Sequence, residues 1–237
     1  MLEVRNLSAG YNHIRVLNAV NIKVNPGEVI AIIGPNGCGK TTLLKSIIGL
    51  CSIFSGKISF NCKEIVGLPT HILARMGIGY VPQGRIIFNN MTVYENLEMG
   101  GYIIKDANSV NKKIEELCNK FLFLKEKKND SASVLSGGQQ QILSLARTLM
   151  SNPSLLLMDE PSLGLSPFMI EELFREIFNL RRAGVTVLLV EQNIAQALDI
   201  ADRVYIMISG KTVFEKSPNE ISLDDLRKMY FFKKCAC

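Results

Sequence analysis

One segment of this chain places glycines, a lysine and two threonines at a spacing suited to holding phosphate groups. It consists of Gly34, Pro35, Asn36, Gly37, Cys38, Gly39, Lys40, Thr41 and Thr42. The spacing fits the P-loop pattern G-x-x-x-x-G-K-[ST], and the apolar run from Val29 to Ile33 predicts a buried strand leading into it. Glycines let the backbone N–H groups turn inward, toward the positive end of a helix beginning near Lys40. The segment therefore predicts a site for a nucleoside triphosphate.

Two side chains of the P-loop have defined tasks in such a site. The Lys40 ammonium is expected to contact the β and γ phosphates, and the Thr41 hydroxyl is expected to bind Mg²⁺. The alternative is a glycine-rich turn between a strand and a helix with a surface lysine. The strand before the loop and the helix after it favour the nucleotide site.

Two adjacent carboxylates end a second apolar run. Asp159 and Glu160 follow the run from Leu155 to Met158, so both are predicted at the carboxyl edge of a buried strand, where α/β sheets bind ligands. Asp159 is expected to hold Mg²⁺ through water, and Glu160 to act as the general base on an attacking water. An acidic pair that caps the next turn is the alternative.

A third segment, Ser136, Gly137, Gly138 and Gln139, opens a predicted helix that runs to about Met150. A serine hydroxyl and glycine N–H groups at a helix start predict a second anion site. By themselves, these residues are equally consistent with a plain helix cap. Together with the P-loop they give the chain two half-sites, which cannot both be used within one monomer.

The elements that must position these residues alternate along the chain. Alternating apolar residues at 2–7 and 20–24 predict an antiparallel layer before the P-loop strand. From about Pro82 the pattern is helical, with a capping box from Thr92 to Glu95 and apolar residues at helical spacing over 110–124. We therefore expect an inserted helical subdomain at about 86–150 within a single domain spanning 1–237.

Strand character returns in the last third of the chain. Apolar runs at 155–158 and 185–190 predict buried strands, and a helix from Pro167 to about Arg182 is predicted between them. Residues 204–208 and 212–214 predict a hairpin, and Ser222 is expected to cap a last short helix. Strands that alternate with helices predict an α/β fold with a mainly parallel sheet.

Composition limits the function classes. With 237 residues, 47% of them hydrophobic and 21% charged, the chain can bury a full core without disulfides. The net charge of +5 comes without runs of like charges, so no nucleic-acid partner is expected. The N-terminus has no secretory pattern, and no apolar run approaches the roughly 18 residues that span a bilayer, so a cytoplasmic location is expected.

Six cysteines are scattered without C-x-x-C spacing, which predicts reduced thiols rather than zinc or disulfides. Cys235 and Cys237 resemble a prenylated tail, but Lys233 and Lys234 before them favour a frayed polar end.

The P-loop, the segment from Leu135 to Gln139 and the segment from Leu157 to Pro161 together resemble the ATP-binding cassette (ABC) family over essentially the whole chain. The resemblance implies a P-loop NTPase (RecA-like) core. It also implies a head-to-tail dimer, in which the P-loop of one subunit and the Ser136 segment of the other enclose each ATP. Its partners would be integral membrane permease subunits and a second ATPase subunit, identical or not.

Further residues take roles from this resemblance. Tyr11 resembles the aromatic residue that stacks on adenine, although an ordinary strand-end tyrosine is the alternative. Gln83 resembles the loop glutamine that touches Mg²⁺ and water and senses the transporter. The segment from Ser162 to Leu165 falls where the dimer-contact loop of the family lies, with Leu165 in place of the usual acidic residue.

One position departs from the family pattern. Where a histidine ordinarily contacts the γ-phosphate, this chain has Gln192. A glutamine amide donates a neutral hydrogen bond but cannot take up a proton, so Glu160 is expected to carry the base role alone. The alternative is that Gln192 caps the helix beginning near Ile194.

The segments 81–85, 161–165 and 191–193 resemble LivF-type ATPase subunits of branched-chain amino acid importers. We therefore predict a peripheral, ATP-hydrolysing subunit at the cytoplasmic face of the inner membrane. Transport of another solute, such as urea, an amide or an exported lipid, is the nearest alternative. A soluble cassette acting on ribosomes or DNA, or a small-molecule P-loop kinase, fits the motifs less well.

Overall fold

The computed structural model describes residues 1–222. The helix predicted after Ser222, together with Cys235 and Cys237, lies outside the described residues. None of the helices within residues 1–222 combines the length and the apolar character that a bilayer crossing requires.

The strands of the described chain form two sheets of different character. A four-stranded antiparallel sheet has the order β2-β1-β4-β5, and a six-stranded sheet has the order β10-β9-β3-β8-β7-β6. The strands are β1 (Leu2–Tyr11), β2 (Ile14–Val24), β3 (Val29–Ile33), β4 (Ser52–Phe60), β5 (Lys63–Glu64), β6 (Ile78–Val81), β7 (Leu155–Asp159), β8 (Thr186–Glu191), β9 (Arg203–Ile208) and β10 (Lys211–Lys216). In the larger sheet only the β9–β10 pair is antiparallel. The predicted α/β class, with a mainly parallel sheet and an N-terminal antiparallel layer, is confirmed.

Five of the helices in the described chain, α3, α4, α6, α7 and α8, begin after a residue whose side chain caps them. They are α1 (Lys40–Ile47), α2 (Thr70–Arg75), α3 (Val93–Gly100), α4 (Ala107–Lys120), α5 (Leu122–Glu126), α6 (Gly137–Leu149), α7 (Pro167–Arg182) and α8 (Ile194–Ile200). The capping box between Thr92 and Glu95 is present at the start of α3. Ser166 caps α7, and Pro167 occupies its first turn, where a missing N–H costs nothing.

Two helix predictions need correction. The helical pattern was expected from about Pro82, but the first helix after β6 begins at Val93. Gly84 and Arg85 have φ values of 94° and 56°, and this left-handed backbone cannot continue into a helix. The single helix expected over 110–124 is also interrupted, because Phe121 (φ −116°, ψ 86°) separates α4 from α5.

The central strands are buried on both faces, as the continuous apolar runs require. Every residue of β3, β7 and β8 is buried. One face packs on α1 and the antiparallel sheet, and the other packs on α6, α7 and α8. The parallel pairing of β3, β7 and β8 brings their carboxyl ends to one edge. The P-loop, the Asp159–Glu160 pair and Gln192 follow these strands at that edge.

Candidate active site

The P-loop turns sharply between β3 and α1. Gly37 and Gly39 have φ values of 79° and 108°, in the region that favours glycine. At Gly34 a Cβ would overlap the carbonyl oxygen of Met207, so the close approach of β9 also requires glycine. The loop therefore leads directly into the first turn of α1, where Lys40 and Thr41 lie.

Lys40 is held at the centre of the loop. Its side chain is only 4% exposed, and Nζ donates to the Gly34 carbonyl oxygen at 2.9 Å. The same Nζ lies 3.6 Å from Glu160 Oε1. The loop thus carries a nearly buried cation with one carboxylate beside it. Burial raises the pKa of the neighbouring Cys38 thiol, so Cys38 adds no charge to the loop at neutral pH.

Asp159 is the buried carboxylate of the site. The Thr41 Oγ1 donates to Oδ1 at 3.0 Å, and the Tyr80 hydroxyl donates to Oδ2 at 3.3 Å. Burial raises the pKa of Asp159, whereas these two hydrogen bonds lower it and offset part of the effect. Burial, followed by the charge of Asp159, also raises the pKa of Tyr80, so its phenol remains a donor. The facing oxygens of Thr41 and Asp159 are hard ligands of the kind that Mg²⁺ prefers.

Glu160 follows Asp159 but faces a different environment. Its φ of 45° is left-handed, a conformation that costs a non-glycine residue about 1 kcal/mol, and its N–H donates to the Val190 carbonyl at 2.9 Å. Its side chain is 12% exposed, and Oε2 accepts from Gln83 Nε2 at 2.9 Å. The backbone therefore turns this carboxylate out of the sheet, toward Gln83 and Lys40.

These residues surround a cavity of about 280 Å³. Its lining consists of Val16, Asn36, Gly37, Gly39, Lys40, Thr41, Thr42, Gln83 and Glu160. Tyr11 is not part of this lining. Its ring lies 5.9 Å from Lys45 Nζ and is 39% exposed. A larger cavity of about 500 Å³, between the α4–α5 junction and α7, lies away from these carboxylates.

The Ser136 segment lies outside the cavity lining. Ser136 Oγ accepts from the Gln139 N–H at 3.3 Å, and Gln139 Oε1 accepts from the Ser136 N–H at 3.1 Å. This reciprocal pair is a capping box at the start of α6. Gly138 is buried, and a Cβ there would lie 2.5 Å from Met169 Cγ. The chain thus brings the P-loop and the carboxylates together but leaves this segment on a separate surface.

Gln192 is exposed and does not line the cavity. The alternative that Gln192 caps α8 is wrong, because the cap is Asn193, whose side chain accepts from the Gln196 N–H at 3.4 Å. The Gln192 N–H donates to Glu191 Oε2 at 3.1 Å.

Sequence reasoning missed two residues that position the site. Tyr80 binds Asp159, as described above. Glu191 is 1% exposed and accepts from the Ser162 N–H at 3.0 Å and the Ser162 hydroxyl at 2.8 Å. Burial raises the pKa of Glu191. The signal that could have identified both is a polar residue inside or ending a buried strand, since such a residue needs a partner.

A P-loop joined to a parallel sheet, with an acidic pair at the end of β7, which β8 separates from the P-loop strand, defines the P-loop ATPase class. The sequence profile of the ABC transporter family matches residues 17–163 of this chain. The high-affinity branched-chain amino acid transport ATP-binding protein BraG of Pseudomonas aeruginosa is 45% identical over 213 residues, covering 90% of this chain and 91% of BraG. The chain therefore belongs to the ABC transporter family, and it is an ABC-type ATPase.

Two further relatives are also ATP-binding proteins of transport systems. The probable branched-chain amino acid transport ATP-binding protein LivF of Archaeoglobus fulgidus is 39% identical, covering 93% of this chain and 94% of LivF. The lipopolysaccharide export system ATP-binding protein LptB of Haemophilus influenzae is 34% identical, covering 98% and 96%.

Among solved structures, the ADP conformation of MJ1267, an ATP-binding cassette of an ABC transporter, gives a TM-score of 0.87 at 29% identity and covers 98% of both chains. The dimeric post-hydrolysis state of the cassette MJ0796, bound to ADP and Pi, gives a TM-score of 0.83 at 26% identity and covers 93% of this chain and 100% of that one.

Proposed function

We propose that this chain is the ATP-hydrolysing subunit of a membrane importer for branched-chain amino acids. The observation that carries the ATPase part is that Lys40, Thr41, Glu160 and Gln83 line one cavity. Asp159 lies behind this lining and is bound to Thr41. The similarity to BraG and LivF over at least 90% of this chain supports the solute class.

In this proposal the P-loop binds the phosphates of ATP. The N–H groups of Gly37 and Gly39 and the Lys40 ammonium face the triphosphate, and the loop residues from Gly34 to Thr42 form its cradle. Thr41, Asp159 and Gln83 supply oxygen donors that fit Mg²⁺, which when bound neutralises charge on the phosphates. Tyr11 stacks on the adenine ring in this proposal. Because Tyr11 is outside the cavity lining, the adenine must extend out of the cavity beyond Val16 to reach its exposed ring.

Hydrolysis uses Glu160 as the base. A water attacks the γ-phosphorus, the bond to the β–γ bridging oxygen breaks, and the proton of the water passes to the Glu160 carboxylate. Gln83 Nε2 holds Glu160 Oε2 at 2.9 Å and so fixes the direction of the carboxylate. Gln192 donates a neutral hydrogen bond to the γ-phosphate and takes no proton.

The second half-site belongs to a second subunit. Ser136, Gly137, Gly138 and Gln139 lie outside the cavity of their own chain, so they are proposed to bind the ATP held by the P-loop of a partner cassette. The similarity to the dimeric MJ0796 cassette supports this arrangement. The partner is a second copy of this chain or a related ATPase.

Permease subunits are proposed to dock beside the Gln83 loop, residues 82–92. A groove of about 340 Å³ lies there, between β6, α3 and α6. Three large side chains at the groove are exposed: Phe88 (42%), Met99 (46%) and Tyr102 (60%). Exposed apolar groups gathered in one groove are typical of a protein-binding surface. We propose on this basis that the chain lies at the cytoplasmic face of the membrane, held by its permease.

We also propose that residues 1–237 form one nucleotide-binding domain with an inserted helical subdomain at about 86–150. The helices α3 to α6, which follow one another between β6 and β7, support it. Export of a lipid is the second candidate function, because LptB is similar over 98% of this chain.

The test is a purified complex. A tagged chain is isolated from native membranes with its permeases, reconstituted into vesicles and assayed for ATP-dependent uptake. We expect leucine, isoleucine or valine to be taken up and urea to be ignored, with the Glu160→Gln complex as the inactive control. Co-purification with lipid-export components would favour the second candidate, and the absence of any permease would favour a soluble cassette.

A further inference from the structure

Arg85 has an unusual backbone and a position between functional segments. Arg85 has a φ value of 56°, and Gly84 before it has a φ value of 94°. The left-handed region is unfavourable for arginine and persists where surrounding contacts hold the residue there. The Arg85 side chain contacts segments outside the Gln83 loop.

The guanidinium of Arg85 meets two segments that are distant in sequence. Nη2 donates to the carbonyl oxygen of Gly164. A Cβ at Gly137 would lie 2.8 Å from Arg85 Cζ, and a Cβ at Gly164 would lie 2.9 Å from Nη2. Glycine at both positions therefore leaves the room that the planar guanidinium occupies. One side chain joins the Gln83 loop, the start of α6 and the loop of residues 162–165.

The 162–165 loop is held at its other end by a different residue. Ser162 is buried and bound by Glu191 through its N–H and its hydroxyl. Leu163, between the two attachments, is 50% exposed. Glu191 belongs to β8 and cannot move without the sheet, whereas Arg85 belongs to a surface loop. Arg85 therefore attaches Gly164 to the Gln83 loop, while Glu191 attaches Ser162 to the sheet.

We propose that Arg85 is a positioning residue that sets the 162–165 loop and the start of α6 in the arrangement a partner cassette meets. The inference rests on the proposed dimer for its consequence, but the contacts that carry it exist within one chain. A displacement of the Gln83 loop, which is proposed to lie beside the permease, then shifts both dimer-facing segments together.

The first test measures the single chain without nucleotide. Hydrogen–deuterium exchange is compared in the wild type, Arg85→Ala, Arg85→Lys and the control Arg182→Ala, an exposed arginine at the end of α7. In Arg85→Ala we expect faster exchange in peptides covering both 136–139 and 162–165, with an unchanged melting temperature. Arg85→Lys should be intermediate, because an ammonium can donate to Gly164 but cannot lie flat against Gly137. Exchange unchanged in both segments would overturn the proposal.

The second test measures the dimer. In a Glu160→Gln background, Arg85→Ala should weaken ATP-dependent dimerisation about tenfold, the scale of one charge-assisted hydrogen bond, and leave the ATP affinity of the monomer unchanged. If the double variant dimerises with the same affinity as Glu160→Gln alone, Arg85 does not position the surface that binds the partner cassette. If Glu160→Gln itself fails to dimerise with ATP, the proposed composite site fails, while faster exchange in Arg85→Ala still supports the positioning role.

Discussion

Asp159 and Glu160 are adjacent in sequence but have different surroundings. Asp159 is fully buried and accepts hydrogen bonds from Thr41 and Tyr80. Glu160 lines the cavity and is bound by Gln83. A carboxylate already held by two donors is suited to fixing a metal, whereas one that faces the cavity can take a proton from water. The left-handed backbone at Glu160 creates this difference between neighbours.

Replacing Glu160 with glutamine tests the base directly. We expect Glu160→Gln to bind ATP normally and to slow hydrolysis by roughly 10²-fold or more, because an amide cannot accept the proton. Lys40 and Thr41, which are proposed to contact the phosphates and Mg²⁺, are unchanged in this variant. Calorimetry with ATP and a phosphate-release assay measure the two quantities, with the exposed Glu171→Gln on α7 as the matched control. Hydrolysis near the wild-type rate would remove Glu160 from this role.

The roles of Gln192 and Asn193 can be separated by neighbouring substitutions. Gln192→Ala should reduce turnover by roughly tenfold or less, the effect of one neutral hydrogen bond, and Gln192→His should keep substantial activity. Neither should lower the melting temperature through capping, since Asn193 caps α8. Asn193→Ala should leave turnover near the wild-type rate but lower the free energy of unfolding by about 1 kcal/mol, because α8 loses its cap. A more than thousandfold loss in Gln192→Ala contradicts a neutral donor.

At the scale of elements, the end of β8 holds the loop that follows β7. Glu191 accepts four hydrogen bonds, two from Ser162 and one each from the N–H groups of Gln192 and Asn193. Burial raises its pKa, so the folded protein holds this proton more tightly than the unfolded chain does. Its contribution to stability is therefore complete below the unfolded value of about pH 4.3 and is lost as the pH rises through the folded value.

Glu191→Gln should change both the level and the pH dependence of stability. The side-chain NH₂ of glutamine would face groups that donate to Glu191, including the Ser162 N–H and hydroxyl, so we expect the free energy of unfolding to fall by about 2 kcal/mol. Because glutamine does not titrate, the melting temperature should fall less as the pH rises above the unfolded value of about 4.3 than it does in the wild type. Melting curves across this range, with Glu171→Gln for comparison, measure both effects. Parallel curves for the wild type and Glu191→Gln would show that Glu191 does not titrate in the folded protein.

Elements with a local signal could be predicted from the sequence. The apolar runs of β3 and β7 and the caps of α3, α6 and α7 are present as expected. Residues 51–81 gave no prediction, because most of β4 is exposed or partly exposed and α2 has six residues and no side-chain cap. The contact of Tyr80 with Asp159 follows from the register of β6 on β7, a long-range pairing that spacing along the chain does not encode.

At the scale of the whole molecule, the chain has two phosphate-binding candidates on separate surfaces. The P-loop cavity includes no residue of the Ser136 segment. Within one chain that segment serves as the cap of α6, a role that a serine fulfils without any ligand. The capping of α6 and the proposed contact with a partner's nucleotide make different demands on the Ser136 side chain. A substitution that keeps one and blocks the other can therefore test the assembly.

Ser136→Asp is that substitution. Aspartate accepts the Gln139 N–H as serine does, and its charge is favourable at a helix N-terminus, so stability should stay within about 0.5 kcal/mol of the wild type or rise. ATP affinity of the monomer should also be unchanged. The same charge would face the phosphates of a partner's ATP, so ATP-dependent dimerisation and hydrolysis should both be lost.

Ser136→Arg should block the dimer by bulk, with some loss of stability from the missing cap. Thr92→Asp, at the equivalent position of α3, is the matched control and should dimerise normally. Sedimentation with ATP in the Glu160→Gln background measures the outcome, and a Ser136→Asp protein that still dimerises would place the Ser136 segment outside the assembly.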